Sequence, residues 1–152
     1  MRWLTQLCLL LLAIPVSAQK QAGLPPELAG HWRGEGSIMA AWCQQKRIPF
    51  DITIDTQGNV TGMIGDAKLQ DGRLTYRTRL MRKLGNRDYL IQAKLNGPIV
   101  AAEGIQRKKI WLMVDLKNQQ LEGGMNTSGW HLGTKNRMFI TVAQVVLTRM
   151  TE

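Results

Sequence analysis

From Ile48 to Asp55 apolar and polar residues alternate without a break, with Ile48, Phe50, Ile52 and Ile54 on one side and Pro49, Asp51, Thr53 and Asp55 on the other. A two-residue period belongs to an extended strand with one face buried and one in water. Turn residues follow at Thr56-Gln57-Gly58-Asn59, and Asn59 to Gly65 reads as the return strand of a hairpin. This pattern commits the chain to sheet, and the rest of the sequence repeats it.

In the preceding stretch, Trp32, Ile38, Ala40 and Trp42 share one face if the run is extended, and His31, Arg33, Glu35 and Ser37 share the other. Gly34 and Gly36 weaken a plain strand and suit a bulge or a sharply bent one. Ala67 to Leu84 continues in the same style. Asp71-Gly72, a dipeptide favoured in tight hairpins, breaks it. Beyond the break Leu74, Tyr76, Thr78 and Leu80 face one way and Arg73, Thr75, Arg77 and Arg79 the other. Tyr89, Ile91, Ala93 and Leu95 alternate again before Asn96-Gly97-Pro98. Residues Ile99 to Gln106, Ile110 to Leu116, Leu121 to Asn126 and Met138 to Met150 supply the remaining strands. The last is rich in β-branched residues and has no helix cap before it. Short strands joined by tight turns, with no crossover helix between them, predict an all-β fold: an antiparallel up-and-down β-barrel of about 8–10 strands, whose closure removes exposed sheet edges.

Residues 1–18 have the layout of a secretory signal peptide. Arg2 gives a positive start, Leu7 to Ile14 is apolar, and Val16-Ser17-Ala18 offers small residues for cleavage. The apolar run is too short for the ~20 residues of a membrane-spanning helix, and no later stretch is a candidate, so the mature chain is expected to carry no transmembrane segment. Residues 19–28, with Pro25-Pro26, read as an extended leader without a packing role, and 29–152 as a single barrel domain. The product is expected to be exported, periplasmic or secreted. The chain holds 20 Lys and Arg against 11 Asp and Glu, a formal charge of +9, and the signal contains only Arg2 of these, so the mature protein stays strongly basic. It also keeps a single cysteine, Cys43, which excludes an internal disulfide.

Gly30-His31-Trp32 near the mature start, followed by a strand, a Gly-Asn turn and Val60-Thr61-Gly62-Met63-Ile64, resembles the calycin group of lipocalins, fatty-acid-binding proteins and avidins. The resemblance implies a barrel in which a basic residue of the last strand packs across the first-strand tryptophan. Trp32 and Arg149 are the matching residues, so both are expected to be structural and to close one end of the barrel.

His31, His131 and Cys43 exhaust the usual nucleophile, base and soft-metal inventory of the mature chain, and none stands at a catalytic or metal-ligand spacing from another. No phosphate loop, zinc helix or nucleophile elbow is present. The sequence therefore points away from an enzyme and suggests neither metal nor cofactor. Two non-catalytic readings remain. Trp42, Tyr89, Trp111 and Trp130 could line a cavity holding a small hydrophobic or amphipathic ligand, or the aromatic rings could simply fill the interior. Arg73, Arg77, Arg79, Arg82, Lys83 and Arg87 form a basic stretch that could bind anionic polymers or lipids of a cell envelope, or could be a solvated surface guarding a sheet edge. Nucleic acid is the poorer anionic partner because an exported protein rarely meets it.

Overall fold

The structure, a computed structural model, describes residues 24–84, 87–103, 105–128 and 140–151. The expected signal segment and the first half of the leader lie outside the described residues. Ten strands follow in order: β1 (Gly30–Ile38), β2 (Arg47–Ile54), β3 (Asn59–Ile64), β4 (Ala67–Tyr76), β5 (Tyr89–Asn96), β6 (Pro98–Val100), β7 (Ile105–Gln106), β8 (Lys109–Lys117), β9 (Gln120–Ser128) and β10 (Ile140–Arg149), with a short helix α1 (Arg79–Lys83) between β4 and β5. Eight of them close into one antiparallel barrel in the order β1-β10-β9-β8-β5-β4-β3-β2. The all-β, up-and-down barrel expected from the alternation is therefore found, in the calycin-like form that the resemblance implies. The meander departs from strict succession only at β6 and β7, which pair with each other as a separate ribbon between β5 and β8.

Inward residues come from every barrel strand, and the alternation of β2 sets the pattern: Ile48, Phe50, Ile52 and Ile54 are all buried. Ile52, Ile64, Ile91, Leu112, Leu121 and Leu147 have no surface open to water at all. Protein atoms therefore surround each of these side chains on every side. Eight strands enclose a space just wide enough for side chains to fill or for one small ligand; here aliphatic side chains fill it. Each fully buried Leu, Ile or Phe contributes roughly 1.5–3 kcal/mol.

Two bulges keep this interior apolar. In β4 the register against both neighbours slips by one residue at Asp71, whose backbone is left-handed at φ 51°. Gln70 and Asp71 both point outward there, and Gly72 and Leu74 take the inward positions. The Asp71-Gly72 signal thus marks a bulge within β4 and not the expected hairpin; the turn lies earlier, at Gly65-Asp66, between β3 and β4. In β10 the same device occurs at Gln144, φ 50°, with Ala143 and Gln144 both turned outward. Its partner across the ladder is the Gly36 region of β1, where an added Cβ would come within 2.5 Å of Val142 Cγ1 and 2.8 Å of Val145 Cγ2. The glycine lets the bulged strand approach.

Trp32 is buried at the end of the barrel where β1 begins, and its indole N–H donates to the carbonyl of Leu28 at 2.9 Å. Arg149 is its cross-strand neighbour on β10, and the guanidinium passes over Gly30, where an added Cβ would lie 2.7 Å from Nε. Residues at the end of the expected leader also pack. Leu28 is fully buried, and Leu24 lies against the core and over Gly58, since the turn at Pro26–Leu28 folds the chain back under the barrel. The opposite end is covered by the β1–β2 connection and the β6–β7 ribbon, with Cys43, Ile99 and Val100 buried beneath them. Trp32→Ala should lower stability by about 3–5 kcal/mol, whereas Trp111→Ala, on the outer wall, should cost no more than about 1 kcal/mol; urea unfolding of both variants measures the contrast, and equal losses would contradict this packing.

Candidate functional site

With the interior filled, the chemistry must lie in the connections and on the wall. The most unusual connection joins β4 to β5. The strand expected to run on to Leu84 stops at Tyr76, because Thr78 turns the chain: its side chain accepts from the Met81 backbone N–H, and Arg82 N–H bonds the Thr78 carbonyl at 3.1 Å. That is an N-cap, and it starts the single turn of α1. Leu80 and Leu84, four residues apart, come to one side of it.

The apolar side chains of this tip point into water. Leu80 is 66%, Met81 44% and Leu84 70% exposed, and Tyr76 at its base is exposed too. Basic residues alternate with them. The Arg82 guanidinium lies 4.5 Å over the Tyr76 ring, Tyr76 leans on Tyr89 with centroids 5.4 Å apart, and Arg82 Nη1 is 3.8 Å from Asp88. These contacts brace the tip from one side. From the other, Asp115 on β8 accepts from the Asp88 backbone N–H at 2.7 Å and from Arg87 at 2.9 Å. Partial burial pushes the Asp115 carboxyl up, but the Asp88 amide and the Arg87 guanidinium together outweigh it, and the net direction is down. Arg79 and Lys83 have no carboxylate within 4.0 Å among the described residues.

The six basic residues named from the sequence therefore divide. Arg79 and Lys83 face solvent on α1, Arg82 and Arg87 are engaged in holding the tip, and Arg77 is half-buried with Nη1 unpartnered among the described residues. Arg73 stands apart on the outer wall of β4. The four aromatic candidates do not converge. Tyr89 is buried at the base of the tip, Trp42 is exposed in the β1–β2 connection beyond the end of its expected strand, and Trp111 is half-buried on the outer wall between inward Ile110 and Leu112. Trp130 lies outside the described residues, as do His131 and Met138. The exposed Leu80, Met81 and Leu84 were missed; their signal was Thr78 followed by a Leu80–Leu84 spacing that fits a helix turn and not a strand.

Cys43 sits at the far end in a small polar knot. Its thiol donates toward the Gln45 carbonyl and the Glu103 carboxylate, both at 3.2 Å, and the same Glu103 oxygen accepts from the Gln44 and Gln45 backbone N–H groups. Burial first, then Glu103, pushes the thiol up to about 11, so it stays protonated and is a poor nucleophile near neutral pH. Arg107 is also buried, with Nε and Nη2 unpartnered, and burial pulls its pKa down. His31 is 2.5 Å from Asp51, which also accepts from Arg33. Among the described residues no three side chains of metal-ligating type are grouped.

Replacing Asp115 by Asn should loosen the tip by about 1.5–3 kcal/mol, the range for a hydrogen bond to a charged group. Because folding lowers the Asp115 pKa, its contribution is complete above the unfolded value near ~3.9 and is lost as pH falls through the lower folded value. Hydrogen exchange across 77–88, compared with β2, should rise in Asp115→Asn at neutral pH and in the unaltered protein below about pH 4; unchanged exchange in the variant would remove Asp115 from this role. No known family matches the chain by its sequence profile, and no curated protein or solved structure matches it significantly, so the calycin-like barrel and the basic, apolar-tipped β4–β5 connection are what characterise it.

Proposed function

We propose that the protein is an exported, non-catalytic barrel that attaches to an anionic lipid surface of the cell envelope through the β4–β5 connection. The observation carrying this reading is the exposure of Leu80 and Met81, and of Leu84 at the C-cap, on the same short helical turn as Arg79, Arg82 and Lys83. A solvated charged surface or a polyanion site has no use for three water-exposed apolar side chains. A bilayer interface has a use for both kinds. Leu80 and Leu84 would each gain roughly 1.5–3 kcal/mol when fully buried among acyl chains, and Arg79 and Lys83 about 1 kcal/mol each near anionic head groups. Two weak signals of different kind together give firm but reversible attachment.

The packed interior favours this over a small hydrophobic ligand held inside the barrel, since such a ligand would have to displace side chains that already fill the space. The Asp115 and Tyr76 contacts matter to the proposal because a braced tip inserts without first losing conformational freedom.

Flotation with phosphatidylglycerol–phosphatidylcholine vesicles tests it. The protein should bind these and leave phosphatidylcholine vesicles largely unbound. The double variant Leu80→Glu, Leu84→Glu should lose binding, and Arg79→Gln with Lys83→Gln should weaken it by roughly thirtyfold, ~1 kcal/mol per charge. Equal binding to both vesicles, or full binding by the leucine variant, would reject the reading.

A further inference from the structure

The outer wall of β4, β5 and β8 carries a second feature that the lipid-binding tip does not use. Arg73, Gln92 and Trp111 are direct cross-strand neighbours in one row, Arg73 opposite Gln92 and Gln92 opposite Trp111. The adjoining row holds Lys94 opposite Lys109, with Asp71 joined to Lys94 at 2.7 Å. These six outward side chains line an open depression of about 240 Å³. Neighbouring strands are about 4.8 Å apart, so Arg73 and Trp111 stand about 10 Å from each other across Gln92.

The bulge at Asp71 builds this grid. It turns Gln70 and Asp71 outward together and brings the Asp71 carboxylate beside Lys94, while the phase change leaves Arg73 on the wall. A left-handed aspartate in mid-strand is an expensive way to make a plain surface, and bulges of this kind collect beside binding sites, where they re-aim a side chain.

Three chemistries meet in the depression. The Trp111 indole offers a flat apolar face, partly exposed on the wall. Arg73 and Lys109 are cations with no carboxylate within 4.0 Å among the described residues, whereas Lys94 is already neutralised by Asp71. The carboxylate of Asp71 gives Oδ2 to Lys94, leaving Oδ1 as an acceptor, and the Gln92 amide both donates and accepts. A phosphate chain would be repelled by that carboxylate. A sugar ring would use all three: C–H bonds on the indole, hydroxyl donors to Asp71 and Gln92, and an acidic substituent between the cations.

We propose that this depression binds an acidic saccharide unit, a hexuronate or similarly acidified ring, with Trp111 as platform, Arg73 and Lys109 as the anion contacts, and Asp71 and Gln92 as hydroxyl partners. The site is separate from α1, so it stands or falls independently of lipid attachment. Arg73 and Trp111, drawn from two different expectations of the sequence, are here parts of one site.

Tryptophan fluorescence and calorimetric titration of the full chain with tri- and tetragalacturonate test it, alongside a neutral cello-oligomer of the same length and a single-stranded oligodeoxynucleotide. The galacturonate should bind, and Trp111→Ala and the pair Arg73→Gln, Lys109→Gln should each weaken it by about tenfold or more without altering the melting transition. Asp71→Asn should tighten oligonucleotide binding, because it removes the carboxylate's repulsion of phosphate and frees Lys94; asparagine tolerates the left-handed backbone, so the bulge persists. The Leu80→Glu, Leu84→Glu variant should bind the sugar as the unaltered protein does. No galacturonate binding, equal binding of the neutral oligomer, tighter binding of the oligonucleotide by the unaltered protein, or binding unchanged in the wall variants would each overturn the assignment.

Discussion

Closure of the sheet between β1 and β10 is the interaction on which the remaining structure depends. The ladder runs from Trp32 opposite Arg149 to Ile38 opposite Val142, and it joins the first strand of the barrel to the last. Once it forms, no strand of the barrel has a free edge. It also fixes the enclosed volume, into which the buried, mostly aliphatic side chains pack. Closing the ladder requires Gly36, since any side chain there would collide with Val142 and Val145 on the facing strand. Gly34 is needed for the same reason, since a Cβ there would collide with the Val146 carbonyl, so missing methyl groups at two positions of β1 let the ladder close.

A dry, filled core moves recognition outward. The two ends differ in how they do this. At the far end, Glu103 ties the β1–β2 connection to the β6–β7 ribbon through one carboxylate oxygen and leaves a protonated, shielded thiol below. At the end where β1 begins, the β4–β5 connection carries exposed leucines on a base held by Asp115 and by the Tyr76–Arg82 stack. One end is latched by polar contacts, and the other presents apolar groups that the protein itself leaves uncovered.

Much of the fold was legible because a strand's period is local. Ile48 to Ile54 and Tyr89 to Leu95 declare their inward faces with no knowledge of their neighbours, and the pairing of Trp32 with Arg149 followed from a short resemblance. The break in phase near Asp71-Gly72 was legible too, but a bulge and a hairpin both use a left-handed residue, and only the neighbouring strands decide between them. The end of β4 was misplaced for a related reason: Arg77 and Arg79 keep the alternation going in sequence while Thr78 caps a helix in space. The knot of Cys43 with Glu103 joins residues sixty positions apart and leaves no local trace. The grid around Trp111 is likewise a product of register between three strands, so its basic and aromatic members look unrelated along the chain.

The bulges at Asp71 and Gln144 lie on β4 and β10, four strands apart in a ring of eight and so on opposite sides of the barrel. Each changes which side of the sheet the following residues occupy. A one-residue deletion is consequently better tolerated at these two points than elsewhere in the strands, because it removes the extra residue and restores plain alternation. Loss of the one codon for Asp71 would remove the bulge and leave Arg73 outward and Leu74 inward, whereas loss of a codon from the regular alternation of β2 would exchange inside for outside along the rest of that strand. Comparable lengths of the tight turns, by contrast, could change and leave every face where it is. The amphipathic code of this barrel is thus punctuated at two positions, and its variation in length should be confined to the loops and to these bulges.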